Sequence, residues 1–141
     1  MGAEIYETYI LPWEKKYIDF IQDSGCPAIY HNCGEIMELV GSYKKLGAKA
    51  VEPFSPVPLG DADLGKAVEI VNGDYVIIGG VDQVNVIQKG TVDQVQKVTR
   101  ETIEAGKKNG AFIIQNADFL EWGTPEEHVI TFVNIALDHS Y

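Results

Sequence analysis

The run Tyr75-Val76-Ile77-Ile78-Gly79-Gly80 is the stretch that most narrows the choice of fold. It lies between a turn, Asn72-Gly73-Asp74, and an acid, Asp82, and it is wholly apolar. A strand of that character has to be covered on both faces, as in a parallel sheet flanked by helices. Residues 27–31, 50–53 and 111–114 are three further short runs of the same kind. Helical spacing fills the intervals between them. Residues 3–23 carry Ile5, Tyr9, Ile10, Trp13, Tyr17, Phe20 and Ile21, with Pro12 either starting the helix proper near Leu11 or kinking it. Residues 35–46 form a second helix closed by Gly47, and Asp61 or Asp63 caps a third that runs to about Val71. Thr91 with Gln94 makes a capping box for a helix ending at Gly106, and Thr124-Pro125-Glu126-Glu127 opens the last.

Four β/α units preceded by a helix result, and strands separated by helices run parallel. Four such strands make either a small open sheet or half of an eight-stranded barrel, and a closed (β/α) barrel takes ~250 residues. The 141 residues are therefore expected to form a single α/β domain over 1–141, too short to close a barrel alone.

Acids outnumber bases 21 to 11, and the bases are scattered in doublets such as Lys15-Lys16 and Lys44-Lys45. That pattern argues against nucleic acid and anionic membranes as partners. No apolar run approaches the ~18 residues of a membrane span, no signal peptide is evident, and there are two cysteines, so a cytoplasmic protein with reduced thiols is expected. Cys26 reads as a small buried hydrophobe at a strand start, and the extended run after it holds it away from Cys33. His128 is expected to be exposed and His139 to lie at a fraying end. Trp13 and Trp122 read as core or loop anchors, and Arg100 as a surface residue in mid-helix.

Chemistry in parallel α/β proteins collects at the carboxyl ends of the strands. Those ends carry His31 and Cys33, then Glu52, then Gly80 and Asp82, then Gln115, Asn116 and Asp118. In an extended segment His31 and Cys33 leave the same face, and imidazole with thiolate suits zinc. Any one of Glu52, Asp82 or Asp118 taken alone is more often a solvated acid or a helix cap than a site residue. Gly79-Gly80 lacks the G-x-G-x-x-G spacing of a dinucleotide loop.

His31-Asn32-Cys33-Gly34, Gly79-Gly80-Val81-Asp82, and Asp118 followed by Thr124-Pro125-Glu126-Glu127 occur in an order and spacing that resembles the carboxyl-terminal half of the uroporphyrinogen decarboxylase superfamily. The segment Tyr9-Ile10-Leu11-Pro12-Trp13-Glu14-Lys15-Lys16-Tyr17 is similar to the helix before its His-x-Cys strand. The resemblance is closest to the branch of cobalamin-dependent methyltransferases that move a methyl group from a methylated corrinoid protein to coenzyme M or tetrahydrofolate. It implies the second half of a TIM barrel, with the amino-terminal β/α units supplied elsewhere.

In the zinc-dependent members of that branch the resemblance implies His31 and Cys33 as metal ligands with Glu52 as the accompanying acid. The second family cysteine is replaced by Ala117. A weakened zinc site would suit a non-thiol acceptor such as tetrahydrofolate, contacted by Asp82, Gln115, Asn116 and Asp118. The alternative activity, uroporphyrinogen decarboxylation, is disfavoured by the presence of a single arginine. The expected partners are a corrinoid protein and an amino-terminal half-barrel chain or a second copy. An inactive or partner-dependent fragment is the non-enzymatic alternative.

Overall fold

A computed structural model of the chain describes residues 2–109 and 111–139, without the Asn109 side chain. Four strands, β1 (Ile29–His31), β2 (Ala50–Phe54), β3 (Val76–Val81) and β4 (Phe112–Asn116), pair in the order β1-β2-β3-β4, all parallel. Sequential order without a switch point is how strands follow one another around a barrel, whereas doubly wound sheets reverse direction.

The leading helix, α1, begins at Ala3–Ile5, widens through a π-helical Tyr6–Ile10 and continues as Leu11–Asp23. Pro12 occupies the first turn of the regular part, where its missing N–H costs nothing. Just before it, the wider turn lets the Leu11 N–H reach the Tyr6 carbonyl. The remaining helices are α2 (Val40–Tyr43, extended by Lys44–Leu46), α3 (Leu64–Val71), α4 (Val92–Gly106) and α5 (Glu126–Asp138). Helices α2 through α5 touch in succession, so they form one layer. A further π-helical turn, Gln83–Gln88, follows β3. Among the described residues no helix is long and apolar enough to cross a membrane.

The core lies between this helical layer and the sheet. Val51, Ile77, Tyr75, Ala67, Val68 and Val71 form one cluster with α1 and α2, and Val81, Val86, Ile87 and Val95 form a second beneath α4 and α5. The cover is incomplete at the two edge strands, where Ile29 and Ile113 are each more than half exposed.

Several elements differ from the sequence expectation. Helix α2 starts at Val40 rather than near residue 35, because the Asp61 carboxylate accepts from the backbone N–H groups of Ile36 and Met37 and ties that stretch into a turn. Asp63 is the cap of α3, accepting from Lys66 N. Strand β2 continues through Pro53 to Phe54, and its register with β3 shifts between Val51 and Phe54, around the residue that has no N–H to offer. Thr124 does not cap α5: its hydroxyl donates to the Glu121 carbonyl, and Pro125 occupies the N-cap position. Cys26 is exposed, since β1 begins only at Ile29. His128 is half-buried, with Nδ1 2.8 Å from the Ile87 carbonyl.

The largest difference concerns α1. Tyr6, Leu11 and Ile18 face inward, while Ile5, Tyr9, Trp13, Tyr17 and Phe20 are exposed. Trp13 is therefore not a core anchor, and neither is Trp122, which is fully exposed. The inward face is organised by Glu14, whose carboxylate accepts from both the Tyr6 and Tyr30 hydroxyls at 2.8 Å. Tyr6 also packs edge-on to Tyr43.

Candidate active site at the carboxyl rim

Parallel pairing places all four strand ends on one rim. His31 stands opposite Glu52 in the β1–β2 register, and Asn32 N–H donates to the Glu52 carbonyl at 2.8 Å. That pairing brings His31 Nδ1 to 3.3 Å from Glu52 Oε1. A carboxylate against Nδ1 favours the tautomer with its proton on that nitrogen and leaves Nε2 as a free lone pair. Glu52 is thereby placed to orient the imidazole. Cys33, two residues beyond His31, is an exposed free thiol.

Across the rim, the β3–β4 register sets Gly80 opposite Gln115 and Val81 opposite Asn116. The remaining carboxylates are held locally. Asp82 is only 4% exposed, and Oδ1 accepts from the N–H groups of Val84 and Asn85 at 2.8 and 2.7 Å. Its Oδ2 accepts from the Asn85 side-chain amide at 2.7 Å, so Asp82 serves as the cap of the π-helical turn. Asp118 accepts from Phe119 N–H, and the Asn116 amide donates to the Asp118 carbonyl. Gln115 and Asn116 are half-buried on the rim.

Ala117 is completely enclosed. Its N–H donates to the Val81 carbonyl at 2.7 Å and its own carbonyl accepts from the Ser55 hydroxyl at 3.2 Å. Among the described residues no three His, Cys, Asp or Glu side chains gather into a metal-binding group. A catalytic zinc takes three protein ligands and an open position. The expected His31, Cys33 and Glu52 set is thus not assembled, and the residues present do not fit the ion.

Nothing in the sequence separately marks Gln83, which is buried with an Oε1 that has no hydrogen-bond partner among the described residues. The same holds for Ser55 and for Asn32, whose amide donates to the Tyr43 hydroxyl at 2.7 Å. Gln83 directly follows a capping acid at a strand end, which is the one local signal that would have pointed to it.

Parallel strands in sequence order, one layer of helices and polar groups gathered at the carboxyl rim define a segment of a (β/α) barrel of the kind that carries its chemistry on that rim. The uroporphyrinogen decarboxylase family model matches residues 1–139, and the chain belongs to that family. It is 28% identical over 133 residues to a methylated-thiol–coenzyme M methyltransferase of Methanosarcina mazei, covering 94% of this chain and 33% of that relative. It is 27% identical over 106 residues to a methylcobamide:CoM methyltransferase of the same organism, covering 75% and 30%. A solved methyltransferase from Methanosarcina mazei superposes with a TM-score of 0.80 at 16% identity, covering 98% of this chain and 38% of that one. The chain therefore spans about a third of the length of the curated relatives it matches.

Proposed function

We propose that this chain forms the acceptor-side rim of a corrinoid-dependent methyltransferase, which moves a methyl group from a methylated corrinoid on a partner protein to a small thiol of the coenzyme M type. The observation that carries the reading is the His31–Glu52 contact on adjoining strand ends, in a family whose curated relatives are named for methyl transfer to coenzyme M. Glu52 orients the imidazole through Nδ1, and Nε2 accepts the acceptor's thiol proton. The thiolate sulfur then bonds to the methyl carbon while the cobalt–carbon bond breaks, its electron pair remaining on cobalt. Gln115 and Asn116 supply amide donors and acceptors for the polar end of the acceptor. Uroporphyrinogen decarboxylation is disfavoured because Arg100, the one cation of its kind, is exposed in mid-helix on α4.

Tetrahydrofolate is the second reading. It is favoured by Ala117 at the expected position of a second cysteine and by the absence of a three-ligand group among the described residues.

The test is demethylation of methylcobalamin, followed by its visible spectrum, with coenzyme M or tetrahydrofolate as acceptor. It is run on the chain alone and with the amino-terminal part of the Methanosarcina mazei methylcobamide:CoM methyltransferase added, alongside zinc analysis. Turnover with the thiol, lowered at least tenfold by His31→Ala, supports the first reading. Turnover with folate alone supports the second, and no turnover with either acceptor in either format refutes both.

A further inference from the structure

His31 is the candidate base of the rim, yet packing around its ring does not hold it, since the side chain is 53% exposed. Strand β1 ends at this residue. Its pairing with β2 closes on the bond from Asn32 N–H to the Glu52 carbonyl, and Gly34, at a φ of +93°, turns the chain soon after. A strand end beside a glycine is a place where the backbone swivels unless side chains fix it. The direction in which the imidazole points is therefore set through its neighbours.

Both neighbours are tied, and both on the side of the strand away from His31. Successive side chains leave an extended chain on alternate faces, which sends Tyr30 and Asn32 into the helical layer. The Tyr30 hydroxyl donates to the Glu14 carboxylate of α1 at 2.8 Å. The Asn32 amide donates to the Tyr43 hydroxyl of α2 at 2.7 Å. The two ties brace each other, because the rings of Tyr30 and Tyr43 pack with their centroids 5.5 Å apart. Tyr43 is buried, and Tyr6, edge-on to it, donates to the same Glu14 carboxylate. A buried network whose members satisfy one another holds a single arrangement.

We propose that Asn32 and Tyr43 are positioning residues: their hydrogen bond, with the Glu14–Tyr30 bond on the other flank of His31, pins the strand end to the helical layer and so presents the imidazole to Glu52. The clamp acts on the ring itself, and its consequence for turnover rests on the reading of His31 as the base that takes the thiol proton.

Tyr43→Phe deletes one hydroxyl and keeps the ring, and Asn32→Ala deletes its partner, each checked for folding by circular dichroism. Tyr75→Phe is the control for lost stability alone, since it removes another buried hydroxyl, one that donates to the Val40 carbonyl at 3.0 Å. Long-range 1H–15N spectra of the chain at pH 8 report which nitrogen of the His31 ring carries the proton, with its signals assigned by their loss in His31→Ala. The parent should show the Nδ1–H tautomer predominating, and Tyr43→Phe and Asn32→Ala should each shift the tautomer ratio severalfold towards Nε2–H. The double variant should match the larger single effect, because the same bond is lost in all three. In the methylcobalamin assay with coenzyme M these variants should lower kcat at least fivefold and change KM less than twofold. Tyr75→Phe should leave ring and rate as in the parent. A tautomer ratio unmoved by Tyr43→Phe and Asn32→Ala, moved as far by Tyr75→Phe, or shifted in the double variant by the product of the single effects would each overturn the inference. The ring signal needs no acceptor, so a chain that turns over neither acceptor refutes the base role of His31 while the spectra still decide the clamp.

Discussion

Asp82 is the residue at which a structural and a ligand-contacting role separate most cleanly. Replacing it with alanine removes the cap of the π-helical turn, worth about 0.5–2 kcal/mol. It also leaves a second, half-buried backbone N–H without its acceptor, at about 1–2 kcal/mol. The Asn85 side chain is exposed and finds water, so it adds little. Asp82→Ala should therefore lower stability by roughly 2–4 kcal/mol, a displacement of the urea midpoint by about 1–2 M at the slopes usual for a domain of this size. Asp82→Ser keeps one accepting oxygen at the cap and should recover about half of the loss while removing the carboxylate altogether. Urea unfolding followed by circular dichroism measures all three proteins, and an unchanged slope confirms that the folded state alone has been altered. If Asp82→Ala unfolds within ~0.3 M of the parent, or if Asp82→Ser falls as far as alanine, the carboxylate is not acting as the cap and the derivation fails.

Three further outcomes are expected. A Cβ at Gly79, where φ is +141°, would lie 2.5 Å from the Phe54 backbone nitrogen, so Gly79→Ala should destabilise by roughly 2–5 kcal/mol in a thermal melt; a loss below ~1 kcal/mol would show that β2 yields. Burial pushes the Tyr30 phenol up to about 12 from an ordinary 10.0, opposed by its hydrogen bond with Tyr6 and reinforced by the hydrogen bond and charge of Glu14. The folded state thus prefers the protonated phenol, so its contribution is intact below pH 10 and is lost as pH rises towards 12. Urea midpoints at pH 8 and 11 should differ less for Tyr30→Phe than for the parent, and an equal difference would refute the assignment. Ala117→Cys should raise zinc affinity at least tenfold in a competitive chelator titration if this is the missing ligand position, and unchanged affinity would refute that alignment.

Much of the architecture was legible because its signals are local. The apolar run ending in Gly79-Gly80 could only be a strand covered on both faces, Thr91 does accept from Gln94 N–H, and Gly47 does close its helix with φ at 77°. The failures came from interactions between distant residues. Nothing near residue 35 announces that Asp61 will hold Ile36 and Met37 in a turn. Helical spacing located the apolar stripe of α1 but could not say which of two stripes turns inward, since Tyr6, Leu11 and Ile18 alternate with Tyr9, Trp13 and Tyr17. At the rim, the His-x-Cys spacing singles out His31 as a candidate, but its contact with Glu52 is a product of cross-strand register, which no single segment encodes. Asp82 differs, because the N–H groups that it caps lie only two and three residues on, and a helix cap was among the readings its position in the sequence allowed.

The bond from the Ser55 hydroxyl to the Ala117 carbonyl joins positions 62 residues apart in sequence. Ser55 follows the residue that pairs with Gly79, and Ala117 hangs from Val81, so the bond bridges over the end of β3 and laces the loops after β2 and β4 together. Loosening either loop strains the bond that holds it to the other. A disturbance introduced beside Ala117 should therefore reach Ser55, three residues beyond Glu52, on the far side of β3.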